Sequence, residues 1–211
     1  RRNEVSFQLE MAMLLVWGKI RNCRQSLLRW NRKKQLSEVS DIIARLAEII
    51  NSVETSTHLD ALRGYEGTAA HLYFNAFGQL LSHPGFSFTE RNRRPPKDPV
   101  NALLSFGYTL LFNNVLSMIL VEGLNPYLGN LHRSDRKEPH LAFDLMEEFR
   151  AVIVDSLVLT LINQQVLKPT DFSWPDHEGG VYLQDPARRI FLKHFEERMS
   201  DEVKHPEVKS P

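Results

Sequence analysis

An all-α fold, a multi-helix bundle, follows from three features of this chain. Apolar residues recur at three- and four-residue spacing over long stretches, glycine and proline cluster between those stretches, and no period-two alternation lasts long enough to build a sheet. At 211 residues the chain has the length of one ordinary domain. Its 42% apolar and 25% charged residues exclude both a disordered chain and a fibrous repeat.

The first helix covers residues 3–30, with Phe7, Met11, Leu14, Leu15, Leu27 and Leu28 as an apolar stripe interrupted by Gly18. Lys19, Arg21, Arg24, Arg29, Arg32, Lys33 and Lys34 line the rest of it. Ser37, Ser40 and Asp41 offer caps for a second helix through Ile42, Ile43, Leu46, Ile49 and Ile50. A third starts near Thr57 and runs through Tyr65, Ala69, Leu72, Phe77 and Leu81 until His83-Pro84-Gly85 stops it. The loop 84–99 is irregular and basic, holding Arg91, Arg93, Arg94 and Lys97 among its prolines.

From Val100 to Val121 run 22 residues without a formal charge, the length of a membrane span. Asn101, Ser105, Thr109, Asn113, Asn114 and Ser117 interrupt them, and such polar side chains need partners in lipid. The stretch reads as the central buried helix of a soluble bundle, with no membrane contact. A turn around Asn125-Pro126 and Gly129 follows, then a helix over 139–165 opened by Pro139. Residues 179–183 suit a short strand, 186–199 a charged helix, and 200–211 a frayed tail beyond a single helical domain, 1–199.

Lys+Arg 26 against Asp+Glu 26 excludes a polycation that coats nucleic acid. The balance is local, however: residues 1–97 carry 15 basic and 9 acidic side chains, and 98–211 carry 11 and 17. That asymmetry permits a phosphate-binding face beside an acidic pocket. One cysteine, Cys23, excludes an intrachain disulfide framework and a thiolate zinc site. Beside Arg21 and Arg24 it could be a reactive thiol, but a small buried side chain is the better reading. The opening Arg1-Arg2, without methionine or a secretory pattern, reads as the start of a piece cut from a longer protein.

No CxxC, GxxxxGK[ST], GxSxG or HExxH occurs, which leaves oxygen and imidazole chemistry. Projected at about 100° per residue, helix 139–165 puts Ala142, Met146, Phe149, Ile153 and Leu157 on one face and Asp144, Glu148 and Asp155 opposite, with Glu147 between. Asp144 and Glu147, spaced i, i+3, can reach one ion, and a hard divalent cation such as Mg²⁺ or Mn²⁺ would relieve their repulsion. A solvated acidic face would use the same spacing. His132 lies in the turn before that helix. Glu66 sits between Gly64 and Gly67 inside a helical pattern, where paired glycines suggest tight packing or a ligand's close approach.

Four blocks in order then resemble one family. Leu62-Arg63-Gly64-Tyr65-Glu66-Gly67-Thr68-Ala69-Ala70, Asn101-Ala102-Leu103-Leu104-Ser105-Phe106-Gly107-Tyr108, Gly123-Leu124-Asn125-Pro126-Tyr127-Leu128-Gly129 with Leu131-His132, and Leu141-Ala142-Phe143-Asp144-Leu145-Met146-Glu147-Glu148-Phe149-Arg150 resemble the CRISPR-associated adaptation integrase, the Cas-one family. Ala151 stands where that family commonly has proline, a departure that touches helix geometry. The resemblance implies the family's C-terminal helical catalytic domain, without its N-terminal β-rich domain in this chain. It implies Glu66, His132 and Glu147 as ligands of Mg²⁺ or Mn²⁺ and Asp144 as an acidic catalytic neighbour. Spacing leaves Glu147 and Glu148 open, and the family pattern favours Glu147.

The implied function is a DNA integrase and endonuclease of CRISPR adaptation, in which a 3′-hydroxyl attacks a phosphodiester to insert a spacer. Implied partners are double-stranded DNA (the spacer duplex and the CRISPR repeat), a second copy in a homodimer and a small Cas-two protein, in a prokaryotic cytoplasm. Arg91, Arg93, Arg94, Arg133, Arg136 and Lys137 are candidates for phosphate contacts. The alternative is a non-catalytic helical module that binds proteins or nucleic acid.

Overall fold

A computed structural model of the chain describes residues 5–132, 137–174 and 179–202. Helix α1, Val5–Lys34, is the axis of the molecule and packs against α2 (Ser37–Glu54), α3 (Leu59–Gln79) and α5 (His140–Phe149). Its buried stripe is Ala12, Leu15, Val16, Ile20, Cys23 and Leu27, the i, i+4 spacing of one helix face. Lys19 lies on that same stripe rather than on the basic face expected of it, because the α3 and α5 carboxylates described below surround it.

The caps expected for α2 are not used. Leu36 precedes the helix without a side-chain cap, and the Asn31 amide at the end of α1 closes the turn by accepting from the Leu36 N–H. Cys23 is buried, and burial pushes its thiol well above the ordinary range against the opposing pull of Lys19. The reactive-thiol reading therefore fails.

Helix α4, Pro99–Val121, begins with Asp98, whose carboxylate accepts from the Asn101 N–H, and proline fills its first position. Asn101 is fully buried and ties the basic loop to the helix: its side chain donates to Glu90 O and Asp98 Oδ2 and accepts from the Asn92 N–H and Arg91 Nη1. The helix is buried through Val100, Leu103, Leu104, Gly107 and Leu111, and beyond that only Ile119 is buried. Met118, Leu120 and Val121 are exposed, so this is not the fully buried central helix expected from its composition. Among the described residues it is the one helix long and apolar enough to cross a membrane by those measures alone.

The single helix expected over 139–165 is three segments: α5, a π-helical stretch Arg150–Asp155, and α6, Ser156–Asn163. The π-helix breaks the 100° projection at Arg150. Asp155, assigned to the polar face, is buried, as is Asp144 on that face ahead of the π-helix, while Phe149, assigned to the apolar face, is exposed. The strand expected near 179–183 is Tyr182–Leu183, paired antiparallel with Phe172–Ser173, and α7, Asp185–Ser200, packs on the π-helical segment. This two-residue pairing leaves the fold all-α. Most of the tail expected over 200–211 lies outside the described residues.

Candidate active site

Three helices, α1, α3 and α5, grip the loop that carries His132. Gly129 passes so close to α5 that a Cβ there would sit 2.6 Å from His140 Cβ and 3.0 Å from Asp144 Oδ2, which explains a glycine at this turn. Asp144, fully buried on α5, accepts from the N–H groups of Asn130 and Leu131 through Oδ2 and from the His132 N–H through Oδ1. From α1, Gln8 Nε2 donates to Asn130 O (2.9 Å), and from α3 the Arg63 guanidinium donates to Leu131 O (2.9 Å). The turn after α4 closes the arrangement, with Leu141 N–H donating to Pro126 O.

His132 Nδ1 lies 2.8 Å from Asp144 Oδ1. Burial alone would raise the Asp144 pKa, but the hydrogen bonds from His132 and the three loop N–H groups outweigh it and hold the carboxyl below its ordinary value. An ionised Asp144 can only accept, so Nδ1 carries the proton and Nε2 is left with a free lone pair on a half-exposed ring. Asp144 thus positions the histidine; all four of the bonds just described end on its two oxygens.

Glu66 on α3 and Glu147 on α5 converge on one cation, the Lys19 ammonium from α1. Lys19 Nζ donates to Glu66 Oε1 and lies 2.5 Å from Glu147 Oε2. Glu147 is 3% exposed, and its Oε1 pairs with Arg150 Nη1 at 2.8 Å. Oε2 accepts no hydrogen bond of good geometry, leaving an ion pair without alignment. Burial pushes the Glu147 carboxyl up, but Lys19 and Arg150, with a smaller pull from His132, hold it below the ordinary value. Gly64 and Gly67 face open space, since an added Cβ would meet nothing within 4 Å. Packing therefore does not explain the glycines that flank Glu66. Glu148, which spacing could not separate from Glu147, packs against Gly18 of α1, and its carbonyl accepts from Asn22.

A cavity of about 420 Å³ opens beside these groups, lined among others by Lys19, Glu147, Arg150, Tyr108, Arg93 and Arg94. The Arg150 guanidinium stands 4.9 Å from the Tyr108 ring centroid, and its buried Nε has no partner. Arg91 is largely committed within the molecule: it donates to Asn101 Oδ1 and Ser105 Oγ and lies over the Tyr108 ring. Lys137 is exposed, while Arg133 and Arg136 lie outside the described residues. Deeper in the cavity, Asp155 accepts from Tyr73 Oη (2.9 Å) and Tyr108 Oη (2.5 Å).

Among the described residues, no three His, Cys, Asp or Glu side chains already stand together as a group able to hold an ion. The donor set nonetheless suits a hard divalent cation. Two carboxylates meet at one buried positive charge, and one of their oxygens lacks an aligned donor. Sequence reasoning missed Lys19, Arg150 and Asp155. A signal existed for the first, since Leu15, Lys19, Cys23 and Leu27 follow one another at i, i+4 on the apolar stripe.

The chain matches the family model for CRISPR associated protein Cas1 over residues 2–197. It is 46% identical to CRISPR-associated endonuclease Cas1 2 of Rhodospirillum rubrum over 202 residues, covering 91% of this chain and 58% of that protein. Against CRISPR-associated endonuclease Cas1 of Leptospira interrogans it is 40% identical over 214 residues, covering 98% of this chain and 83% of the other. A solved partial Cas6-RT-Cas1–Cas2 complex contains a chain that superposes with a TM-score of 0.84 at 32% identity, covering 93% of this chain and 59% of that one. The chain thus spans a little under three fifths of the Rhodospirillum relative and of the structural one, and all of the residues gathered above fall inside the matched region. It belongs to the Cas1 family.

Proposed function

We propose that this chain is the catalytic part of a divalent-metal-dependent DNA integrase and endonuclease acting in CRISPR adaptation. The observation that carries the reading is the meeting of Glu66 and Glu147 at one buried cation, with His132 near enough to pull on the Glu147 carboxyl and held by Asp144 through Nδ1. Glu66, Glu147 and His132 Nε2 would hold Mg²⁺ or Mn²⁺. Bound there, the ion neutralises charge on phosphodiester oxygens and lowers the pKa of an attacking hydroxyl. The substrate hydroxyl is the 3′ end of a short duplex, its target a phosphodiester of the CRISPR repeat, and hydrolysis is the same displacement with water as nucleophile.

The chain's own residues supply position and charge. Asp144 accepts the Nδ1 proton of His132, which fixes the ring and directs its other nitrogen, Nε2, outward as the one able to ligate. The Arg150 guanidinium, with one nitrogen unpartnered, and the Arg93 and Arg94 side chains around the adjoining cavity offer donors for phosphate oxygens. The names of the relatives, both endonucleases, support the nuclease activity, and the Cas2-containing neighbour supports a small Cas2 partner. A homodimer at work on double-stranded DNA in the prokaryotic cytoplasm completes the proposal.

The test is His132→Ala in a strand-transfer and nicking assay with Mn²⁺, alongside Glu148→Gln as a neighbour outside the site. His132→Ala should abolish both reactions with its circular dichroism unchanged, and Glu148→Gln should keep them. Native activity in a folded His132→Ala protein would overturn the assignment in favour of a non-catalytic helical module.

A further inference from the structure

Lys19 has no role in the chemistry above, yet it is a buried positive charge held by two acids. Its side chain is 10% exposed, on an α1 stripe otherwise made of apolar residues. A buried ammonium is stable only when paired. Here the two partners are Glu66 and Glu147, from two different helices, and they are the carboxylates that the proposed function gives to the metal. The ammonium and a divalent ion therefore claim the same oxygens.

We infer that Lys19 is a built-in competitor for the divalent ion, holding Glu66 and Glu147 together until the ion enters and then leaving them for the adjoining cavity. This rests on the metal reading of the site. Three observations carry it. The ammonium reaches both carboxylates at once, so a divalent ion can take either only by displacing it. Lys19 lines the cavity of about 420 Å³, which gives its flexible four-carbon stem somewhere to go. That cavity already holds Arg91, Arg93, Arg94 and Arg150 against only the carboxylates Glu147 and Asp155, so a displaced ammonium would add to an excess of positive charge that an anion relieves. A phosphodiester of the substrate has the required charge. Ion entry at one end would then assemble a phosphate site at the other, and each would favour the other.

Mn²⁺ binding to the chain, followed by the electron paramagnetic resonance of free Mn²⁺, tests this in wild type, Lys19→Met and Glu66→Gln. Lys19→Met should bind Mn²⁺ about tenfold more tightly than wild type, a coupling of ordinary size, and Glu66→Gln more weakly. Inorganic phosphate should strengthen Mn²⁺ binding in wild type and much less in Lys19→Met. Equal or weaker binding by Lys19→Met, with Glu66→Gln still impaired, would overturn the competitor role and leave the metal site standing. Mn²⁺ binding indifferent to Glu66→Gln would remove both. If Lys19→Met does not fold, the wild-type protein decides: the ¹⁵N resonance of the Lys19 ammonium should move on saturation with Mg²⁺, and an unmoved resonance sinks the proposal.

Discussion

Asp144 shows how much one carboxylate can organise. It takes up three consecutive backbone N–H groups and a histidine ring nitrogen, so the loop 130–132 and the tautomer of His132 are set by the same two oxygens. Asp144→Asn keeps the shape but replaces an acceptor pair with one acceptor and one donor, which must face an N–H. The expected cost is about 1–3 kcal/mol in urea unfolding, the penalty of a buried group left unsatisfied. Strand transfer should fall about 10–100-fold, as for other residues that orient a metal-bound imidazole. Mn²⁺ affinity, measured on the folded variant, separates the two effects: a loss there shows that His132 has lost its orientation. Glu66, His132, Asp144 and Glu147 were legible in the sequence through the pattern of four blocks. Lys19 was legible only as a position on the apolar i, i+4 stripe of α1, since the two acids that pair with it come from other helices.

At the scale of elements, the π-helical segment 150–155 is what composition concealed. A helix widened by one residue per turn there carries both Arg150 and Asp155 toward the cavity. It also brings Val154 against α4, where Gly107 gives it room: a Cβ on residue 107 would lie 2.5 Å from Val154 Cγ1 and 3.2 Å from Phe191 Cζ. Gly107→Ala should therefore destabilise the fold by about 1–3 kcal/mol through overpacking, read as a lower midpoint in urea. Val154→Ala in the same chain should recover part of that loss, because the two sites share the contact. The three-segment division was invisible to a fixed 100° projection, because apolar Val152, Ile153 and Val154 read equally well as the continuation of an α-helix.

For the whole molecule, the buried Asp155 makes stability depend on pH. Burial raises its pKa to about 6, against partial relief from the hydroxyls of Tyr108 and Tyr73 and from Arg150 and Arg91. The folded state therefore keeps a proton that the unfolded chain has released by pH ~4. Its favourable contribution is complete below pH ~4, is lost as pH rises to about 6, and is absent above, a swing of about 3 kcal/mol. Thermal unfolding of wild type and Asp155→Asn between pH 4 and 7 checks the sign: relative to wild type, the variant should gain stability as pH rises. The exposed end of α4 gives the opposite expectation. Met118, Leu120, Val121 and Leu124 bury little, so Leu120→Lys with Leu124→Lys should shift stability by less than about 0.5 kcal/mol.

The sequence by itself determined the helices and their order, because apolar spacing, Asp98 and the glycine and proline breaks act over a few residues. Four motif blocks also determined the family and, through it, the acids and the histidine proposed for the site. Only the tertiary structure decided which charge faces which. It turned Asp155 inward, set Asp144 behind His132 rather than at the front, and put Lys19 between Glu66 and Glu147. The physical reason is that burial and Coulomb pairing depend on distances between α1, α3 and α5, which no local spacing encodes.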